Sequence, residues 1–296
     1  MIKMYKYKAF GLNIHSEIFL PELIHHKSKN PDISILEGRV NLPSESILEG
    51  KNFKVTENNV YMFWKDIGKF EISNGNEILI EKVQDVNRLV LRSFVLGNIM
   101  TAILIQRGFL VLHASAVNIN NEAIAFIGNK GYGKSTTAMT FYKEGYQIVA
   151  DDYIMIKFEN GLPFVYPGFP SLRLSYKSRK YGDFSLEKVF YKNREIEKIY
   201  VPTKNNFSLN KLPLKKLYVL KRGKYLKISD IELQDSLIKL VENTFGITRF
   251  NESDSIKHLH QCSLLLKKVN ILLLEVPDSL EELYKLVKFI KKDVKE

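Results

Sequence analysis

One cysteine, Cys262, occurs in 296 residues. A lone cysteine excludes an internal disulfide and suits a reducing compartment. In a helix-like segment it reads as a small semi-buried side chain rather than a nucleophile. A secretory signal is lacking too. The basic start Met1-Ile-Lys-Met-Tyr-Lys-Tyr-Lys-Ala-Phe10 leads into no apolar h-region with a small-residue cleavage site. The longest apolar run, Phe94 to Ile105, is interrupted by Gly97-Asn98, short of the ~20 residues a bilayer crossing needs. No solenoid-period repeat and no low-complexity tract is present. These absences lead us to expect a cytoplasmic protein without a membrane partner.

Positive charge, by contrast, is abundant. The net charge is +11, with basic pairs at Lys215-Lys216, Lys221-Arg222, Lys267-Lys268 and Lys291-Lys292. Spread along the chain, such pairs read first as solvated faces, and beyond that they favour an anionic partner such as an acidic peptide. No nucleic-acid-binding motif accompanies them, so nucleic acid is not an expected partner. A composition of 45% hydrophobic and 26% charged residues is that of a globular protein long enough for one large or two modest domains.

From Tyr5 to about Glu81 the pattern is short β-like runs broken by turn residues. Examples are Phe53 to Val55, Val60 to Trp64, Lys69 to Ile72, and Glu77 to Ile80 across Ser73-Asn-Gly-Asn76. This predicts a small β-rich N-terminal lobe over residues 1–84, with Trp64 as a core anchor. From Asp85 the period changes: Val86, Leu89, Val90, Phe94, Ile99, Ile103 and Leu104 predict a long helix ending near Arg107-Gly108. Residues 85–296 then form the second part, an α/β domain. Its expected strands are 109–112, 114–119, 123–127, 147–150, 217–220 and 269–276, with a hairpin over 153–166 and helices near 136–143, 236–243, 253–267 and 279–291. The polar and aromatic segment 178–206 has few clear elements and reads as a surface insertion or mobile loop.

The segment Gly128-Asn129-Lys130-Gly131-Tyr132-Gly133-Lys134-Ser135 is a complete GxxxxGKS pattern between an apolar strand, Glu122 to Ile127, and a helix-like run that begins at Thr136. Glycines let the backbone curl so that successive N–H groups face phosphate. Lys134 supplies charge to the β- and γ-phosphates, and Ser135 offers its hydroxyl to Mg²⁺. ATP and Mg²⁺ are the expected ligands. An Asn-Lys-x-Asp segment and a convincing Asp-x-x-Gly switch are missing, which argues against a GTPase. A Leu-Ser-Gly-Gly signature is missing as well, which argues against a transport ATPase.

One helix further on, the strand Ile148-Val-Ala ends in Asp151-Asp152. Two carboxylates at a strand's C-terminal end suit one crevice with the loop, one to support the metal and one to take a proton from an attacking hydroxyl. The bland alternative is a turn capped by two aspartates. Earlier in the chain His113 ends the apolar run Phe109-Leu-Val-Leu112 and precedes Ala114-Ser115-Ala116. A strand leading towards the loop there could bring its imidazole near the γ-phosphate.

Together, His113, Gly128 to Ser135 and Val149-Ala150-Asp151-Asp152 resemble the catalytic core of the HPr kinase/phosphorylase family, whose architecture is shared with ATP-dependent phosphoenolpyruvate carboxykinase. The resemblance implies that Lys134 contacts the transferring phosphate and Ser135 the Mg²⁺. It further implies Asp152 as proton acceptor, Asp151 as metal support and His113 beside the reacting phosphoryl group. Thr136 stands where the bifunctional members carry glutamate, and no Arg-Gly-Leu-Gly-Ile-like segment follows, which implies phosphorylation without the reverse reaction.

Tyr7-Lys-Ala-Phe-Gly11-Leu, Ser16-Glu-Ile-Phe-Leu-Pro21-Glu-Leu, Gln106-Arg107-Gly108, His113-Ala-Ser115 and Pro167-Gly-Phe-Pro-Ser-Leu-Arg173-Leu are similar to a subgroup tied to ribosomally made peptides. That subgroup includes lasso-peptide tailoring kinases. It implies a precursor peptide with an acceptor serine as partner and Arg173 as a phosphate- or substrate-binding residue, for which a surface ion pair is the plain alternative. Arg249 is a fainter candidate. An HPr-like protein or small-molecule hydroxyl kinase, or a nucleotide-dependent peptide-binding module without catalysis, are the alternatives. The family's bifunctional enzymes are hexamers, so a homo-oligomer is left open.

Overall fold

The computed structural model describes residues 3–175, 189–191, 194–196, 198–246 and 252–295. It is a mixed α/β protein with two large sheets, divided into two compact units. One unit comprises Met1–Phe109, Lys188–Ile196 and Gly246–His258; the other comprises Leu110–Glu187, Glu197–Phe245 and Leu259–Glu296. The sequence division at 84/85 falls at the head of the long helix, whereas the compact units part after Phe109.

The N-terminal unit is built on nine strands: β1 (Tyr5–Ala9), β2 (Leu12–Ser16), β3 (Ile24–His25), β4 (Ile33–Glu37), β5 (Leu48–Gly50), β6 (Phe53–Val55), β7 (Asn59–Trp64), β8 (Gly68–Ser73) and β9 (Glu77–Lys82). They form one sheet in the order β3-β1-β2-β4-β9-β8-β7-β6-β5. Hairpins account for most of it, but β4 runs parallel to both β2 and β9, so the lobe is more than the meander its sequence suggests. Alternation drives the pairing: Phe70 and Ile72 of β8 and Ile78 and Ile80 of β9 point inward and are wholly or almost wholly buried, while Lys69, Glu71 and Glu81 face the other way.

The helix predicted from Asp85 onward runs from Arg88 to Gln106. Asn87 caps it by accepting from Leu89 and Val90 N–H, and Val95–Ile99 forms a π-helical turn at its centre. Among the described residues it is the one helix long and apolar enough, by length and composition, to cross a membrane; 61% of its apolar window is buried. Its Phe94 meets Trp64 edge-on with ring centroids 4.7 Å apart, and Trp64 meets Phe70 at 5.9 Å. Trp64 is half-buried rather than part of the core proper, and forms an aromatic link between sheet and helix. A short ribbon, β17 (Val189–Tyr191) with β18 (Arg194–Ile196), also falls in this unit.

The second unit carries β10 (Leu110–Leu112), β11 (Ser115–Ile119), β12 (Glu122–Ile127), β13 (Ile148–Ala150), β14 (Ile154–Glu159), β15 (Leu162–Tyr166), β16 (Ser171–Ser175), β19 (Lys198–Pro202), β20 (Leu212–Arg222), β21 (Lys227–Asp230) and β22 (Asn270–Val276). The main sheet runs β10-β14-β15-β20-β12-β11-β13, with β22 also on β20. β20 is its spine: eleven residues long, it pairs antiparallel with β15 at its start and parallel with β12 and β22 beyond. Purely apolar runs such as Ala123 to Ile127 are buried throughout, as central strands covered on both faces must be.

Helix Lys134–Lys143 covers one face through Phe141, which stacks near Phe126 at 5.8 Å. The C-terminal helix Leu280–Lys295 is pinned by Asp293, which takes Lys216 Nζ at 2.9 Å and the Tyr218 hydroxyl.

The segment 178–206 differs from its expected lack of structure. Its described residues hold β17, β18, β19 and one 3₁₀ turn, Lys204–Asn206. Strand pairing overrides weak local propensity there. Residues 178–188 and Arg249 lie outside the described residues.

Candidate functional site at the phosphate loop

Every element of the site comes from the second unit. β12 ends at Ile127, and Gly128 turns the chain away with φ of 145°. A Cβ there would lie 2.9 Å from the Leu220 carbonyl oxygen of the neighbouring strand, so both conformation and space demand glycine. Gly131 and Gly133 are also left-handed, with φ of 89° and 98°, and Gly133 is the N-cap of the helix Lys134–Lys143. The loop thus delivers the positive end of a ten-residue helix to its own concavity, an arrangement suited to an anion.

Lys134 is the buried lysine of the loop, 7% exposed. Its Nζ donates to the Gly128 carbonyl at 2.6 Å and reaches the Asn129 carbonyl at 3.5 Å. Burial pushes its pKa below the usual lysine value, while the negative charges of Asp151 and Asp152 pull the other way. Both acids are therefore close enough in electrostatic terms to be felt by the loop lysine.

Asp151 is almost completely buried. It accepts from the Ser115 hydroxyl and from the Arg173 backbone N–H at 2.7 Å, and the Ser135 hydroxyl also favours its ionised form. Burial raises its pKa above the ordinary carboxylate value against these three groups, and the neighbouring charge of Asp152 adds to the rise. A buried carboxylate held by two hydrogen bonds, with the loop's own serine favouring its charged form, suits a cation.

Asp152 has a left-handed backbone, φ 71°. For a residue with a Cβ this conformation costs about 1–2 kcal/mol. It turns the chain sharply at the strand's end, so Tyr153 returns to the core while Asp152 forms an ion pair with the Arg173 guanidinium, both side chains largely buried.

The segment Pro167 to Pro170 explains how Arg173 arrives. Gly168 N–H donates to the Val149 carbonyl at 2.9 Å, and Phe169 meets Tyr153 edge-on at 6.4 Å. This seats the segment beside the acid strand and starts β16, which pairs with β19. Arg173 then serves both acids, Asp151 through its main chain and Asp152 through its side chain.

His113 follows β10. Its N–H donates to the Asn243 carbonyl at 2.7 Å, and its ring stands edge-on to Phe245 at 6.2 Å. Phe245 packs against Tyr153 at 5.8 Å, the residue after Asp152. The loop residues Asn129, Lys130 and Tyr132 complete the turn, with Tyr132 N–H on the Asn129 carbonyl at 3.1 Å. Thr136 stands in the first turn of the loop helix, and its carbonyl accepts from the Thr140 hydroxyl.

Three contributors were not singled out from sequence. Ser115 was read only as a small residue. Asn243 follows the helix Leu233–Glu242 and looks like an ordinary cap, yet its buried Oδ1 accepts from Gly128 N–H at 3.0 Å. Arg222, read only as half of a basic pair, donates to the Gly131 carbonyl at 3.0 Å and pairs with Asp278 at 3.3 Å. Cys262 is wholly buried and its thiol is pushed up to about 12, in keeping with its reading as a packing residue.

Mg²⁺ takes hard oxygen ligands and keeps most of its shell from water and phosphates, with one or two carboxylates from protein. The Ser135 hydroxyl and the Asp151 carboxylate, whose ionised form that hydroxyl favours, fit that demand. Among the described residues no group of three or more His, Cys, Asp or Glu side chains gathers into a cage for a metal, which a phosphate-borne Mg²⁺ does not need.

No family model matches the chain, and no curated protein matches it. Among solved structures it is similar to the Hpr(Ser) kinase/phosphatase from Coxiella burnetii, at 12% identity and a TM-score of 0.31, over 63% of this chain and 99% of that one. The chemistry of the site therefore rests on its own residues.

Proposed function

We propose that this chain is an ATP-dependent kinase that phosphorylates a serine hydroxyl on a ribosomally made precursor peptide of the lasso type, in the cytoplasm. The observation that carries the reading is the convergence of Lys134, Ser135, Asp151 and Asp152. A nucleotide binder needs the first two and a metal-holding acid such as Asp151, and it is the second acid, Asp152, that a transfer site adds as a base.

In this reading the loop N–H groups and the helix N-terminus hold the ATP phosphates. Lys134 leaves the carbonyls of its own loop to meet the γ-phosphate. Ser135 and Asp151 hold Mg²⁺, which when bound neutralises charge on the phosphate oxygens. The serine oxygen of the peptide bonds to the γ-phosphorus as the bond to the ADP oxygen breaks, and the hydroxyl proton passes to the Asp152 carboxylate. Arg173 keeps Asp152 oriented until substrate arrives and then turns its guanidinium to an anionic oxygen of phosphate or peptide. His113 stands beside the transferring group. Most of the rate gain comes from positioning and charge stabilisation rather than from the base alone.

The test is incubation with MgATP and serine-ending candidate peptides, read by mass spectrometry for a phosphate increment. Labelled product that persists in both Lys134→Ala and Asp152→Ala would sink the assignment. ATP binding with no transfer to any hydroxyl would make the chain a binding module instead.

A further inference from the structure

Asn243 touches two elements of the candidate site, the start of the phosphate loop and the end of β10. Its side-chain Oδ1 accepts from Gly128 N–H at 3.0 Å, and its main-chain carbonyl accepts from His113 N–H at 2.7 Å. Its amide nitrogen donates back to the Lys239 carbonyl at 2.9 Å, so the side chain is held from both ends. The residue is 5% exposed. A helix-capping asparagine has no need to reach another element, and this one reaches across 115 positions of sequence to the first residue of the phosphate loop.

We infer that Asn243 is the positioning residue of the phosphate loop, tying Gly128 to the strand end that carries His113. The inference rests on the nucleotide-binding part of the proposed function. The physical reason lies in the Gly128 backbone. With φ of 145° the residue sits where only glycine is comfortable, and a buried N–H without an acceptor would drive the loop to another conformation. Asn243 supplies that acceptor, fixing the peptide plane from which the loop departs. The Gly128 carbonyl then faces Lys134 Nζ at 2.6 Å, where the ammonium waits for phosphate. Because the same residue holds His113, loop and histidine are referred to one anchor at the end of the helix Leu233–Glu242.

The experiment compares Asn243→Leu, which keeps the shape and removes the acceptor, with Thr244→Val, which removes a neighbouring helix-end bond to the Leu240 carbonyl and leaves the Asn243 acceptor in place. Two readouts are taken on the full chain: hydrogen exchange of the Gly128 amide by NMR, and titration with MgADP. We expect N243L to lose Gly128 protection while the β12 amides stay protected, and to bind MgADP about tenfold more weakly, as loss of one buried hydrogen bond implies. T244V should change neither readout, even if both variants melt earlier. Asn243→Asp, which retains an acceptor oxygen, should keep the Gly128 amide protected. Should N243L not fold, Asn243→Ala takes its place in both readouts.

Wild-type protection of Gly128 in the acceptor-less variant, or an equal loss in T244V, would overturn the inference. A wild-type protein that binds no MgADP would overturn the nucleotide reading alone, since the Gly128 exchange decides the anchor without any ligand.

Discussion

The two units bury different chemistry. Among the described residues the N-terminal unit hides His15, Ser16, Thr101 and His258 as its polar side chains, with no fully buried lysine or carboxylate and a largely buried ion pair of Arg92 with Glu22 at 2.8 Å. The loop-bearing unit hides Lys134, Asp151 and Lys216, together with Ser115, Thr137 and Asn243. Both buried histidines of the first unit, His15 and His258, have their pKa pushed down by burial, which keeps that interior close to neutral. In the second unit charge is retained inside and each charged group is matched: Lys216 by Asp293, Asp151 by the Ser115 hydroxyl and the Arg173 N–H, Lys134 by two carbonyls. Buried charge costs several kcal/mol unless it is paired and hydrogen-bonded. Its concentration on one side of the domain division marks where stability has been given up for a site.

The largest effect that could break this contrast is on activity. Lys134→Ala should lower phosphoryl transfer by about 10³-fold in a peptide-kinase assay, with circular dichroism unchanged. A mild loss would make the buried lysine structural. Next in size, Phe70→Ala in the N-terminal sheet should cost about 3–5 kcal/mol in a denaturant titration, while MgADP affinity per folded molecule holds. A coupled loss of affinity would show that the apolar unit is not chemically silent.

A smaller effect has the opposite sign. On stability, Asp151→Asn should raise Tm at neutral pH by about 2 °C even though it lowers transfer. The amide can still accept from Arg173 N–H, the Ser115 hydroxyl can turn to accept in its place, and the desolvated charge is gone. The raised pKa of Asp151 sets the pH dependence. The folded protein holds that proton more tightly than the unfolded chain, so wild-type stability recovers as pH falls through the raised pKa towards the unfolded value. The Tm gap between D151N and wild type should therefore close on acidification. A gap that widened would mean that the groups favouring the charged form outweigh burial.

Smallest of all, Cys262, wholly buried with its thiol pushed up to about 12, should resist iodoacetamide at pH 8 until the protein is denatured. Rapid native alkylation, followed by mass, would show an opening of the core beside β20.

What could be read from the chain follows from how local each signal is. The turn-bounded hairpins from Phe53 to Lys82 match their alternation because both partners lie within a few residues of one another. The parallel insertion of β4 between β2 and β9 had no such cue: Ile33–Glu37 pairs with strands whose spacing depends on loops between them. The short helix expected from Thr136 begins at Lys134, since Gly133 in a left-handed conformation supplies the cap. Arg173 was singled out from its Pro-Gly-x-Pro segment, but its bond to Asp152 needed the β16–β19 ribbon, whose second strand lies in a segment that reads as a loop.

By itself the sequence determined the phosphate loop and the paired acids. Backbone curvature at glycine, a lysine and serine at fixed offsets, and two carboxylates after an apolar strand are short-range properties that no distant residue supplies. Only the tertiary structure decided how these pieces divide their labour. Ser115, Arg173 and Asn243 reach Asp151, Asp152 and Gly128 across 36, 21 and 115 positions. Contacts at such separations are fixed by strand order and burial, which place a donor beside a carboxylate, or an acceptor beside a glycine N–H, where water has been excluded and the bond is needed.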